Sequence, residues 1–451
     1  MSRGGHRAIL TVSGDGSHMM ETIKQMLRVV TVFSVLFILL SVETRANVQE
    51  VFGLSPEATA LGNAFTAIAD DFSACYYNPA GIAQTDHHQM TIGYLYSHPH
   101  LELCLRSDER VTNTTNDTGF HAPVFGTLLS LSQIFNTRGH NLAFGVAATV
   151  GDDFKAAWRF HDYDPEVPRF IRYGDYANRA HVYSALGLEV LKERVYLGAG
   201  INFWQDITVP SVTIEMKLNN QILSRDMDID GQSEMSPIVG VLVKPFPWLS
   251  LGYTYRGGWS QKVPANLTDF IVLQSDYSRK EIPVNITFAA RDYFLPWNMT
   301  FGIAVTPLAH LRLSVDTTYY HWSSFDLPMW EGRYPEWDDT VVPRFGVEYE
   351  VVKDLFLRAG YYYEGSPVPD QRTTRSNYLD FDKHAISAGA GIEFTKLPVL
   401  GEIPLNYPVS IDAFLQYQWM EDRTQNRPLE NKSWRIEGYQ LALGVGLSTG
   451  F

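Results

Sequence analysis

Between residues 151 and 178 the chain carries Phe154, Trp158, Phe160, Tyr163, Phe170, Ile171 and Tyr173 among charged residues. Tyrosine hydroxyls apart, side chains of these types do no bond-making chemistry. They hold apolar matter by burying it, at about 25 cal/mol per Å² of apolar surface. In an exposed loop, such a set forms either a surface groove for a greasy ligand or the loop's own packing. The groove is expected here, with Phe154, Trp158, Phe160 and Phe170 as ligand contacts. Residues able to do covalent chemistry are present without the spacing for it. The 13 histidines are scattered, as in His87-His88, His98, His100, His321 and His384. No His-Glu-x-x-His pair, phosphate-binding loop or Cys-x-x-Cys cluster occurs, and no nucleophile elbow is expected. The chain is expected to be no enzyme and to hold no metal and no cofactor. An outer-membrane lipid hydrolase, with Ser and His meeting only in space, is the rival.

Strands must position any such site. The run from Gln440 to Phe451 (QLALGVGLSTGF) alternates large apolar residues with small or polar ones and ends the chain on an aromatic residue. This pattern suits a strand with one face to lipid and one to a lumen. Similar segments recur at Gln89–Ser97, Asn141–Val150, His181–Leu191, Val195–Trp204, Trp248–Arg256, Asn298–Thr306 and Leu311–Tyr320. Arg344–Val351, Phe356–Tyr363, Ala385–Phe394, Val409–Trp419 and Tyr439–Thr449 continue the series. Very short turns, such as Lys192-Glu193-Arg194 and Val352-Lys353-Asp354, alternate with long connections rich in Asp, Pro and Trp. The reading is an all-β, antiparallel transmembrane barrel of about fourteen strands.

Composition agrees. Aromatic residues make up 13% of the chain, and charged residues 19%. After residue 46 no apolar run approaches the roughly 20 residues of a membrane helix. The one long apolar run, Val29 to Val42, follows Lys24 and Arg28 and precedes Thr44-Arg45-Ala46. It reads as a secretory signal peptide over residues 26–46, and residues 1–25 as an extension outside the native leader. Without residues 1–46 there remain 31 basic and 47 acidic residues, a net charge of −16. So acidic a chain is not expected to bind nucleic acid. Cys75 and Cys104 would lie in an oxidising compartment, where a disulfide between them stays open. Residues 47–87 break the strand rhythm. Small residues there have helix-compatible spacing near Ala58–Ala69, then a turn at Asn78-Pro79-Ala80-Gly81. A plug inside the lumen is expected from 47–87, with the barrel over 88–451.

Several strings carry a family resemblance. Ala60-Leu61-Gly62-Asn63-Ala64, Ala69-Asp70-Asp71 and Asn78-Pro79-Ala80-Gly81 lie near the mature start. Tyr253-Thr254-Tyr255-Arg256 and Tyr320-His321-Trp322-Ser323-Ser324-Phe325 follow. Arg358-Ala359-Gly360-Tyr361, Ser366-Pro367-Val368-Pro369-Asp370 and Asp380-Phe381-Asp382-Lys383-His384 come late. In this order they resemble the FadL/TodX (OmpP1-like) family of outer-membrane transporters for fatty acids and other hydrophobic compounds.

The resemblance implies a fourteen-stranded barrel with an N-terminal hatch, taking up long-chain fatty acids or aromatic hydrocarbons by capture and hatch-gated diffusion. It assigns gating to Gly62, Asp70, Asp71, Asn78, Pro79 and Ala80. Trp322, Ser323, Phe325, Ser366, Pro367, Pro369, Asp370, Asp380 and Asp382 become structural motif residues. A fatty-acid carboxylate needs a buried cation, expected near the strand that follows the Trp-Ser-x-Phe loop; only Arg344 is available there, after the acidic stretch Glu336 to Asp339. A neutral hydrocarbon ligand stays open, as does a docking or shuttle protein of the same fold. Expected partners are the hydrophobic ligand, outer-membrane lipid and lipopolysaccharide, and the barrel-assembly machinery through the strand ending in Phe451. A monomer in the bacterial outer membrane is expected.

Overall fold

The computed structural model describes residues 53–107, 110–116, 119–132, 135, 137, 139–149, 169–170, 181–204, 212–218, 221–227, 234–275, 278–325, 336–369, 378–397, 403–427 and 432–451. All of them belong to one compact unit, Glu43–Phe451. The expected leader over residues 1–46 lies outside them, as do Phe154, Trp158, Phe160 and Asp370.

Fourteen antiparallel strands close into a ring. They are β1 (Gln89–Ser107), β2 (Phe120–Ser130), β3 (Leu142–Thr149), β4 (His181–Leu191), β5 (Val195–Trp204), β6 (Glu234–Phe246) and β7 (Leu249–Arg256). The ring continues with β8 (Asn298–Leu308), β9 (Leu311–Tyr320), β10 (Thr340–Val352), β11 (Leu355–Glu364), β12 (Lys383–Leu397), β13 (Ile403–Arg427) and β14 (Lys432–Gly450). Each pairs with its sequence neighbours. β1 completes the circle, running against β14 from Gln89↔Gly450 to Ser107↔Lys432 and against β2 from Gln89↔Leu128 to Ser97↔Phe120. Closure leaves no unpaired edge, the condition for strands to cross a membrane.

The alternation has its physical counterpart in exposure. On β14, Leu443, Val445 and Leu447 face outward while Gln440 and Ala442 are buried inside. On β9 the inward series is Arg312, Ser314, Asp316, Thr318 and Tyr320. Glu193 and Asp354, at the tips of two short turns, adopt left-handed φ of 59° and 65°. At the other end the strands run long; β13 has 25 residues, well beyond the roughly 9–11 that span a bilayer. Two further hairpins, Val212–Leu218 with Gln221–Met227 and Trp259–Ser275 with Ser278–Leu295, pair only within themselves. Arg169–Phe170 pairs in parallel with Tyr378–Leu379.

Residues 53–85 pack against the inward faces of the strands. Their helices are short: α1 (Pro56–Ala60), α2 (Ala74–Tyr77) and a 3-10 turn at Pro79–Gln84. The helix-compatible spacing near Ala58–Ala69 yields helix only as far as Ala60, because Gly62 and Asn63 turn left-handed at φ 63° and 61°. α1 starts on Ser55, whose hydroxyl accepts from the Ala58 amide, with Pro56 in the first turn.

Inward glycines let this inner segment approach the wall. A Cβ on Gly360 would lie 2.0 Å from the Gly62 nitrogen, and one on Gly252 2.3 Å from the Thr66 oxygen. On Gly240 it would meet the Asn78 side-chain oxygen at 2.1 Å, and on Gly198 the Ala80 nitrogen at 2.2 Å. Gly145 and Gly126, across the ring, would strike Cys75 and Phe72. Cys75 and Cys104 are both free thiols.

Candidate functional site

Polar side chains fix the inner segment to the wall. Asn78, fully buried, donates from its amide nitrogen to the Thr66 carbonyl at 2.8 Å and to the Val241 carbonyl of β6 at 3.0 Å. Its oxygen accepts from the Ala80 amide at 3.2 Å, capping the turn that begins at Pro79. On β7, Thr254 donates to the Tyr77 carbonyl at 2.8 Å and Arg256 to the Tyr76 carbonyl at 3.0 Å. Asp316 of β9 accepts from the Phe65 and Thr66 amides at 3.0 and 2.8 Å.

An ion network closes the end nearer the short turns. Glu57 of α1 meets Arg312 at 2.7 Å and Arg358 at 3.5 Å. Arg358 also binds Glu348 at 2.6 Å and Asp412 at 2.5 Å, and Arg312 binds Glu348 at 3.0 Å and Asp70 at 3.4 Å. Asp71 lies apart from this network, accepting from the Ser73 amide at 2.8 Å.

Above the inner segment lies a small polar chamber. Asn63, Thr66, Tyr76 and Tyr77 line it from below, and Arg256, Thr300, Asp316, Thr318, Arg344 and Tyr362 from the wall. Arg344 is only 8% exposed. It donates to Thr318 at 2.6 Å, Tyr320 at 3.3 Å and the Val342 carbonyl at 3.5 Å, beside the Tyr362 ring. Among the described residues no carboxylate pairs with it within 4 Å. A buried guanidinium served only by neutral acceptors is costly, and an anion is its natural complement.

Farther toward the long connections the lining turns aromatic. Phe325 stacks on Trp337 at 3.9 Å, and Tyr378 meets both edge-on at 5.4 Å. Trp322 lies 5.6 Å from Trp337, and Phe294 5.1 Å from Phe325. Tyr320, Val342 and Tyr362 belong to the same cluster and reach down to Arg344.

The Ser-Pro-Val-Pro string braces this roof. The Asp338 amide donates to the Pro367 carbonyl at 2.9 Å, and the Ser366 amide to Asp382 at 2.7 Å. Arg423 of β13 donates to the Ser366 hydroxyl at 2.9 Å, to the Asp380 carbonyl at 3.3 Å and to the Val368 carbonyl. Pro369, at the end of the string, is half-buried. Phe170, from the aromatic loop, stacks on Phe381 at 5.3 Å.

Two constellations resemble hydrolase parts without their geometry. Ser323, His321 and Asp339 lie together, but Ser323 and Asp339 both contact the same ring nitrogen, Nδ1. The imidazole therefore does not stand between acid and hydroxyl as a triad requires. Gly446-Leu447-Ser448-Thr449-Gly450 has the elbow's spacing, but it runs extended in β14, with Ser448 hydrogen-bonded to Thr91 at 2.7 Å.

The model for the outer membrane protein transport family (OMPP1/FadL/TodX) matches residues 177–443, more than half of the chain. The chain belongs to the FadL/TodX family. Alkane uptake protein A of Marinobacter nauticus is 24% identical over 423 residues, 84% of each chain. Among solved structures, a Pseudomonas aeruginosa FadL homologue aligns with a TM-score of 0.58 at 16% identity, covering 90% of this chain and 98% of that one. The toluene transporter TodX of Pseudomonas putida aligns at 0.52 and 14%, covering 87% and 97%. This FadL/TodX member is an outer-membrane β-barrel of a family that transports hydrophobic compounds.

The FadL/TodX motifs converge in space. Gly360 abuts Gly62, Arg358 reaches Glu57, and Arg256 meets Tyr76. Sequence reading missed Asp316, Thr254 and the Glu57–Arg312 pair. Their signal was parity: each of the strand residues sits at an inward position, where a charge or hydroxyl has no lipid-facing role.

Proposed function

We propose that this protein carries long-chain fatty acids across the outer membrane, with Arg344 receiving the carboxylate and the aromatic roof flanking the chain. The observation that carries this reading is Arg344 itself, 8% exposed and, among the described residues, hydrogen-bonded to two hydroxyls and a carbonyl, in contact with the cluster that includes Trp322, Phe325 and Trp337 through Tyr320 and Tyr362. Residues 53–85 act as the hatch. They stand between the chamber and the short-turn end, so a ligand passes only when they shift.

The test is extraction. Protein purified in mild detergent is expected to yield fatty acids by mass spectrometry, and Arg344→Met is expected to lose them by about tenfold or more, the scale of a charge-assisted contact. Equal acid content in both proteins would remove Arg344 from this role.

A second reading, a neutral alkane, is favoured by the relative named for alkane uptake. It predicts that hexadecane binds and that Arg344→Met leaves its affinity unchanged.

A further inference from the structure

Asp316 and Arg344 are direct cross-strand partners in the β9–β10 register. Facing side chains at such positions stand about 5 Å apart at Cβ, and both residues are buried. Yet they form no ion pair. Arg344 turns toward Thr318 and Tyr320, and Asp316 toward the Phe65 and Thr66 amides of the inner segment. Both line the same chamber.

We propose that Asp316 is the residue that makes hatch release specific for anionic ligands, because a carboxylate arriving at Arg344 weakens the hold of Asp316 on Phe65 and Thr66. This rests on the fatty-acid reading above. With the chamber empty of ligand, Asp316 is the one carboxylate among the described lining residues, which hold two guanidiniums, and Arg344 is its direct cross-strand partner. A second anion on Arg344 takes up that cation's field and sets two carboxylates side by side, and their repulsion weakens the hold of Asp316 on the two amides. Arg256 keeps its charge as well, but it is held on β7 by Asn298, Thr300 and the Tyr76 carbonyl, so the ligand acts on Asp316 through Arg344, its cross-strand neighbour. A neutral alkane or ester leaves the charge balance untouched. Coupling is reciprocal, so removing the Asp316 charge must strengthen carboxylate binding by the factor that binding weakens the contact.

The test uses the full protein in lipid nanodiscs with sodium oleate and methyl oleate as probes. Amide hydrogen exchange is followed in the peptide containing Phe65 and Thr66. Oleate is expected to speed exchange there about tenfold, within the usual range of site-to-site coupling, and methyl oleate at equal occupancy to leave it unchanged. Asp316→Asn is expected to bind oleate about tenfold more tightly and to show no oleate-induced change. Equal responses to both probes in the wild type, or a full oleate response in Asp316→Asn, would overturn the proposal while leaving fatty-acid binding intact. Failure of the wild type to bind oleate would overturn both. Should Asp316→Asn not fold, the comparison of probes on the wild type decides alone.

Discussion

Gly62 of the inner segment and Gly360 of β11 meet backbone to backbone, so closely that a Cβ on Gly360 would lie 2.0 Å from the Gly62 nitrogen. Gly62 also needs its left-handed φ of 63°, which a side chain disfavours. Gly360→Val is therefore expected to leave the ring closed but to prevent the inner segment from docking. Heat-modifiable migration on gels should persist, while conductance in planar bilayers rises to a steadily open level. Wild-type conductance in this variant would show that the contact is dispensable.

Asn78→Ala removes the bonds to the Thr66 and Val241 carbonyls. Only the Val241 bond crosses to the wall; at about 1 kcal/mol, its loss should raise the frequency of transient openings roughly 5-fold. Single-channel recording measures this directly.

Glu57 should make docking depend on pH. Burial pushes its carboxyl up to about 8, against the pull of Arg358 and Arg312. The physical reason is visible in the network: Glu57, Asp70, Glu348 and Asp412 share two guanidiniums. A carboxyl whose docked pKa exceeds its free value of 4.5 favours docking fully below 4.5 and loses that contribution as pH rises to about 8. Open probability should climb across this window, and Glu57→Gln should flatten the profile. A climb of equal size in Glu57→Gln would assign the titration to another group.

Arg423→Ala frees the Ser366 hydroxyl and the Val368 and Asp380 carbonyls from their shared donor. Roughly 1–3 kcal/mol of bracing should be lost, confined to the aromatic roof. Thermal unfolding of the barrel should change little, whereas bound fatty acid should dissociate faster in stopped-flow displacement. Dissociation at the wild-type rate would show that the brace does not serve the ligand.

The sequence made the ring legible because each strand obeys a period of two that lipid on one side enforces. Twelve strands were readable at nearly their observed positions. β2 and β6 are harder to delimit, since Pro123 and Pro237 interrupt their apolar series. The inner segment was legible as a departure from rhythm but not in its helices, because two left-handed residues stop α1 after one turn and a half. Arg344 could be named from its place in the strand, but its lack of a carboxylate partner is a fact of three dimensions. Asp316 illustrates the same limit. Nothing local distinguishes it from any lumen-facing acid until Phe65 and Thr66 are seen beneath it.

The glycines that admit the inner segment would have a second effect if it moved as proposed. Gly187, Gly198 and Gly240 lie side by side on β4, β5 and β6, as do Gly252 and Gly302 on β7 and β8, and Gly346 and Gly360 on β10 and β11. With nothing docked against them, these positions would present bare peptide to the bore. Under the proposed reading, a flexible hydrocarbon tail would find no side chains there to snag on, so the clearance that seats the inner segment would also suit its cargo.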